Sequence, residues 1–240
     1  MKFSNGCWIQ KEGTEVFTPA EVYFTKTEEH QVTLCAPTHK INFRGDTLGG
    51  INLTIKISAP QPEVLRIQTN HYLGTKKKSP EFELEIDDKS QLRVEDSDDF
   101  INVFSGTLRV EINKKNWKMT FYRGNEKITD SNGKDLAYVK TNWRDLAYDD
   151  GSDKDTYMRE RLSLSVGELI YGLGERFTPF VKNGQTVDCW NEDGGTSTDQ
   201  SYKNIPFYIS NKGYGVFVNH PEKVSFEVSS EMVKKVQFSV

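Results

Sequence analysis

Apolar and polar residues alternate with a period of two along most of the chain. Residues 81–86 read EFELEI, which puts Phe82, Leu84 and Ile86 on one face and Glu81, Glu83 and Glu85 on the other, the pattern of a half-buried strand. The alternation recurs at Leu92/Val94, Leu108/Val110/Ile112, Trp117/Met119/Phe121, Leu162/Leu164/Val166, Val224/Phe226/Val228 and Val236/Phe238/Val240. Turn-forming clusters separate these runs: Asp87-Asp88, Ser105-Gly106, Gly124-Asn125, Ser131-Asn132-Gly133, Asp149-Asp150-Gly151 and Asn211-Lys212-Gly213. Many short strands joined by tight turns predict an all-β chain folded as an antiparallel β-sandwich.

One window departs from this pattern. Leu136, Val139, Trp143, Leu146 and Ala147 fit a helical period about as well as a strand, so residues 134–148 stay open between the two, with strand preferred. No proline-rich linker, internal repeat or low-complexity block divides the sequence, and the reading is one domain over residues 1–240. The run 236–240 alternates cleanly and is followed by no turn, cap or polar tail, which reads as a chain cut short of its natural end.

Composition narrows the class. At 240 residues the chain buries about 70 to 75% of its unfolded surface on folding, enough for a core without covalent staples. A hydrophobic fraction of 35%, 28% charged residues and 12% aromatics describe a polar but globular protein. The net charge of −4 supplies no positive field for a nucleic acid or an anionic membrane, and Lys76-Lys77-Lys78 reads as a solvated turn. Cys7, Cys35 and Cys189 are odd in number and scattered, against a disulfide framework and for a reducing compartment. With no apolar leader or membrane-length run, the expected location is cytoplasmic.

Function is concentrated between Tyr171 and Tyr208. There the ring faces of Trp190, Tyr202, Phe207 and Tyr208 stand among Asn183, Gln185, Asn191, Glu192, Asp193, Gln200 and Asn204, with Gly172, Gly174, Gly184, Gly194 and Gly195 as permissive backbone points. Sugars require that mixture, apolar faces for their C–H surfaces and polar groups for their hydroxyls. Gly172-x-Gly174 lacks the third glycine and the following helix of a dinucleotide loop, and Thr178-Pro179 occupies the place of that helix. His30, His39, His71 and His220 are isolated, so neither a cofactor nor a metal site is expected. Glu192 and Asp193 are adjacent on one loop, whereas glycoside hydrolysis usually needs two carboxyl groups facing each other about 5 to 10 Å apart. An acidic loop that caps its own amides is the competing reading for these two residues, as a fastening ion pair or network is for Glu175-Arg176.

The motifs YGLGERF at 171–177, NGQTV at 183–187, WNEDGGTSTDQSYKNIPFY at 190–208 and NKGYGVFVNHP at 211–221 resemble the N-terminal β-domain of family 31 glycoside hydrolases, most closely the bacterial α-xylosidase branch. The resemblance is strong over 160–240 and looser before. It implies a galactose-mutarotase-like β-sandwich, of the supersandwich type, set before a catalytic (β/α)₈ barrel that carries both catalytic aspartates of a retaining mechanism. No catalytic residue is then expected in this chain. The family's Asn-x-Asp element falls on Asn191-Glu192-Asp193, which implies that Asp193 holds hydroxyls of the sugar on the leaving-group side. Trp190 and Thr196 are candidate substrate contacts beside it, and Glu175, Arg176 and Asn191 candidate loop supports. Relatives place threonines directly after the aspartate where this chain has Gly194-Gly195, so Thr196 is the substitute for a second hydroxyl contact. The implied partners are an α-xyloside or related oligosaccharide and the protein's own barrel, with oligomer contacts also compatible.

Three other readings remain. A support domain without substrate contact is compatible with the same sequence. An independent carbohydrate-binding module would hold sugar tightly alone, whereas one charged hydrogen bond contributes on the order of 1.5 to 3 kcal/mol against an association cost of at least about 4 kcal/mol. An aldose mutarotase needs its own acid/base pair, and no histidine lies within 171–208.

Overall fold

The computed structural model describes residues 1–71, 92–143, 155–192 and 194–240. The regular structure of the described chain is antiparallel strand, with a single 3₁₀ turn at Arg44–Leu48. The expected strand at Phe82/Leu84/Ile86 and the turns at Asp87-Asp88 and Asp149-Asp150-Gly151 lie outside the described residues. No helix among the described residues is long and apolar enough to cross a membrane.

Two compact units emerge. Residues 17–136 form one of them, with a four-stranded sheet in the order Phe24–Thr27, Gln31–Pro37, Asn52–Gln61, Val64–Asn70 and a five-stranded sheet in the order Glu126–Ser131, Lys118–Arg123, Leu108–Asn113, Phe100–Ser105, Arg93–Asp96. The two sheets meet through Asn52–Gln61, Val64–Asn70, Phe100–Ser105 and Leu108–Asn113. Their facing sides carry the period-two apolar positions, among them Leu34, Leu53, Ile55, Ile101 and Ile112, all fully buried. Each such side chain stabilises by about 1.5 to 3 kcal/mol on leaving water.

Residues 1–16 and 137–240 form the unit that carries the candidate site. Its larger sheet runs Gln185–Cys189, Val224–Val228, Lys235–Ser239, Asp155–Ser163, Ala137–Thr141, Thr14–Phe17, and a smaller sheet runs Ile170–Gly172, Phe207–Ser210, Tyr214–Phe217. The core gathers Ile170, Leu173, Val187, Tyr208, Phe226 and Val236. Within the ambiguous window, Ala137–Thr141 is a strand paired antiparallel with Asp155–Ser163, because Ala137, Val139 and Thr141 alternate inward; Leu146 and Ala147 lie outside the described residues.

Three alternations turn out differently from their sequence reading, one of them at the strand Lys235–Ser239, which is buried at every position but Phe238. The Leu162/Leu164/Val166 run stops early: the strand ends at Ser163, and Val166 is 98% exposed in a turn closed by Glu168 N–H donating to the Ser165 carbonyl at 3.2 Å. Gly167 at φ +69° explains the break, since the chain reverses there instead of extending. Val224–Val228 is buried at every position, not on alternate ones. Its polar side chains are satisfied inside: Ser225 donates to Asp188 Oδ1 at 2.6 Å, and Glu227 Oε2 accepts from Thr186 Oγ1 at 2.7 Å.

Candidate functional site

The candidate loop begins at a turn with three consecutive left-handed residues, Gly172 (φ +105°), Leu173 (φ +66°) and Gly174 (φ +90°). A Cβ on Gly174 would stand 2.2 Å from the Lys203 carbonyl oxygen, so only glycine allows the two chain segments to pass this closely. Leu173 accepts a left-handed conformation that costs a leucine free energy, and its side chain is fully buried in return. The turn delivers Arg176 to the base of the loop.

Arg176 makes contacts that no local sequence pattern announces. Its Nε donates to the Leu173 carbonyl at 3.0 Å, Nη1 to that of Asp199 at 2.9 Å and Nη2 to that of Asp188 at 2.7 Å; Nη2 also hydrogen-bonds Asn204 Oδ1. One planar fork thus ties together the turn, the end of the strand Gln185–Cys189 and the return of the loop. Asn204 continues the tie, with Nδ2 donating to the Trp190 carbonyl at 2.7 Å, to Asn191 Oδ1 at 3.0 Å and to the Ser201 carbonyl at 2.7 Å. Asn191 bridges Ser201 in parallel register, and Glu192 N–H donates to the Ser201 carbonyl at 3.0 Å. Glu175 forms a solvent-exposed ion pair with Lys203 at 2.8 Å, which water screens.

The tip of the loop is open. Thr196 is exposed in the turn Gly195–Thr198, whose carbonyl at Gly195 accepts from Thr198 N–H at 3.1 Å and Oγ1 at 3.0 Å. A Cβ on Gly194 would collide with Gln200 at 2.4 Å, which accounts for a glycine there, while Gly195 faces open space. Gln200 Nε2 donates to Glu192 Oε2 at 2.8 Å. Asp193 lies outside the described residues. Trp190 is 49%, Tyr202 65% and Phe207 36% exposed, whereas Tyr208 is fully buried against Phe226 with ring centroids 6.4 Å apart. The sequence reading of Tyr208 as a ring face for sugar is therefore corrected. It alternates with Phe207 and Ile209 on its strand and takes the inward side, where burial pushes its phenol well above the ordinary range.

Beside Trp190 lies an open cavity of about 310 Å³. Its lining includes Trp190, Asn191, Pro206, His220, Glu222 and Val224. Lys223 pairs with Asp188 at 2.6 Å and fastens the 220–223 segment to the sheet. Burial opposes the charge of Asp188, but Lys223 and Ser225 outweigh it and hold the carboxyl below its ordinary range. The Cys189 thiol at the cavity floor is pushed up by burial against the pull of Arg176, which leaves it no thiolate character at neutral pH. The other unit has a cavity of about 250 Å³ lined by Phe100, Glu111, Tyr122, Lys118 and Lys127. Its charges are already engaged, Lys127 with Asp130 and Glu111 with Arg109.

Comparison with known proteins places this geometry. The profile of the glycosyl hydrolase 31 N-terminal galactose mutarotase-like domain matches residues 54–227. The chain belongs to that family. It is 42% identical over its whole length to "Alpha-xylosidase XylQ" of Lactiplantibacillus pentosus, and 37% identical to an "Alpha-xylosidase" of Emericella nidulans. The chain spans 30% and 32% of the lengths of these two relatives. Among solved structures, a "Cycloalternan-forming enzyme from Listeria monocytogenes" superposes with a TM-score of 0.73 at 18% identity, over 95% of this chain and 20% of that one, which shows a shared fold. The all-β sandwich expected from the alternation is the fold of this family of domains.

Proposed function

We infer that the chain is the N-terminal, non-catalytic domain of an α-xylosidase-like retaining glycoside hydrolase acting on terminal α-xylosides. Its loop over 171–208 serves the leaving-group side of the sugar site. The observation that carries this reading is the 42% identity to an α-xylosidase along the full chain, combined with a span of only 30% of that relative. The remaining length is where the catalytic barrel and its two aspartates belong. Asp193 takes the hydroxyl contact, Trp190 the apolar face and Thr196 the second hydroxyl, while Arg176, Asn191 and Glu175 hold the loop. A cytoplasmic location and an oligosaccharide ligand are parts of the same proposal.

Several polar groups of the loop are satisfied internally, Glu192 by Gln200 and Asn204 by four partners. That observation favours a second reading, a support domain without substrate contact. The test of the first part is direct: chain 1–240 is assayed with an aryl α-xyloside and titrated with a xylosyl disaccharide. No turnover and no binding tighter than about 1 mM, equivalent to about 4.1 kcal/mol, are expected. Turnover, or tight saccharide binding, would contradict it and point to an autonomous enzyme or binding module.

A further inference from the structure

Three Asn-Gly pairs occur in the chain, at 5–6, 132–133 and 183–184. In each, a glycine nitrogen follows a side-chain amide carbon in the chain, and no Cβ on the glycine screens the approach of one to the other. Sequence makes the three alike, and the fold separates them. At Asn183 the amide is held at both ends: Oδ1 accepts the Ile170 N–H at 2.9 Å and Nδ2 donates to the Glu168 carbonyl at 3.1 Å. The Gly184 N–H is spent as well, on the Val228 carbonyl at 2.7 Å. Asn132 is fixed in a closed turn. Its N–H donates to Asp135 Oδ2 at 2.7 Å, its carbonyl accepts the Asp135 N–H at 2.9 Å and its Nδ2 donates to Asp130 Oδ1 at 3.3 Å.

Asn5-Gly6 differs on each count. Asn5 is exposed, its side-chain amide meets no described residue, and the Gly6 N–H donates to none. A Cβ on Gly6 would find nothing within 4 Å, so the space beside the pair is open to water. The surrounding hairpin also opens easily. It is a separate two-stranded sheet held by two residue pairs, Ser4 with Gln10 and Asn5 with Ile9. Its tip carries consecutive left-handed residues, Gly6 (φ +59°) and Cys7 (φ +69°), and then Trp8 at 92% exposure. Left-handed backbone costs the exposed Cys7 free energy that no burial offsets. The base of the hairpin is anchored, since Phe3 N–H and Ser4 Oγ donate to Glu231 Oε1 at 3.2 and 2.6 Å. The tip therefore opens locally while the rest of the unit holds.

We propose that Asn5 is a site of spontaneous deamidation, converting while Asn132 and Asn183 stay intact. The Gly6 nitrogen gives its proton to hydroxide and attacks Asn5 Cγ. That C–N bond forms, the Cγ–Nδ2 bond breaks, and Nδ2 leaves as ammonia with a proton taken from water. A second water then opens the five-membered imide at either of its carbonyls, giving aspartate, or isoaspartate where the main chain runs through Cγ. Each product adds a negative charge to the hairpin. Isoaspartate also lengthens the backbone by one methylene, which breaks the register of Asn5 with Ile9. The inference rests on no part of the sugar reading above.

The experiment is peptide mapping by mass spectrometry of chain 1–240 kept folded at pH 8.5 and 37 °C, beside the same chain unfolded in guanidinium chloride. The rate at each Asn-Gly pair is divided by its own rate in the unfolded chain, which removes the influence of neighbouring residues. That ratio is expected to be at least about tenfold higher at Asn5 than at Asn132 and Asn183, with aspartate and isoaspartate forms of the Asn5 peptide resolved. Asn5→Gln changes an exposed side chain without a described partner, and it should remove the acidic species that accumulates on ion exchange. Equal ratios at the three pairs, no conversion at Asn5 in the folded chain while the unfolded chain converts there, or an acidic species that persists in Asn5→Gln would overturn the proposal.

Discussion

Arg176 carries a positive charge with no carboxylate among the described residues to pair with; its acceptors are three backbone carbonyls, one amide oxygen and, at 3.8 Å, the Cys189 sulfur. Hydrogen bonds from a charged donor contribute about 1.5 to 3 kcal/mol each, so the fork is worth several of these, and a lysine ammonium cannot reach positions 173, 188 and 199 together. Arg176→Lys is expected to lose at least about 3 kcal/mol in urea unfolding; a loss under about 1 kcal/mol would show that the network is incidental. Glu168 gives a pH signature in the same unit. Ser210 and Tyr214 donate to its Oε1 at 2.6 Å each, and Ser165 N–H and Oγ donate to Oε2 at 2.7 and 2.9 Å. Burial works to raise its pKa, but these donors outweigh it and hold the group below its ordinary 4.5. A carboxyl depressed in the folded state stabilises fully above the unfolded pKa and loses that contribution as pH falls through the folded one. Glu168→Gln should therefore cost about 1 to 3 kcal/mol at pH 7, with the gap to the wild type narrowing below pH 4.5. A gap that stays constant with pH would remove the carboxylate from this account.

At the scale of elements, the turn at 172–174 decides where the loop goes. Gly174→Ala puts a methyl group against a backbone carbonyl in a left-handed conformation, and a loss of at least about 2 kcal/mol in thermal or urea unfolding is expected. An unaltered midpoint would mean that the two segments separate without cost. The strands themselves were legible, because runs such as Leu108/Val110/Ile112 alternate as a sheet with one apolar face requires. Burial on both faces was not legible at Val224–Val228, since Ser225 and Glu227 read as solvent-facing until their partners Asp188 and Thr186 are known. The site shows the same division. Glycines and aromatics marked the loop in the sequence, but the hub formed by Arg176 and Asn204 depends on partners 12 to 28 residues away, which no periodicity encodes. Tyr208 was misplaced for a related reason: residue type does not reveal which side of a strand a position takes.

For the whole molecule, the central point is a division of labour. A domain spanning 30% of an α-xylosidase relative holds a rigidly based loop open at its tip, and no residue in it is assigned to bond cleavage. Loss of Asp193 should then affect substrates according to what occupies the leaving-group side. The most direct measurement is kcat/KM of the full-length polypeptide carrying Asp193→Ala, on a xylosyl disaccharide and on an activated aryl α-xyloside. We expect a fall of about 10 to 100-fold on the disaccharide, as for a lost charged hydrogen bond, and a smaller effect on the aryl substrate. Disaccharide kinetics equal to the wild type would contradict the account and leave the domain as a support without substrate contact.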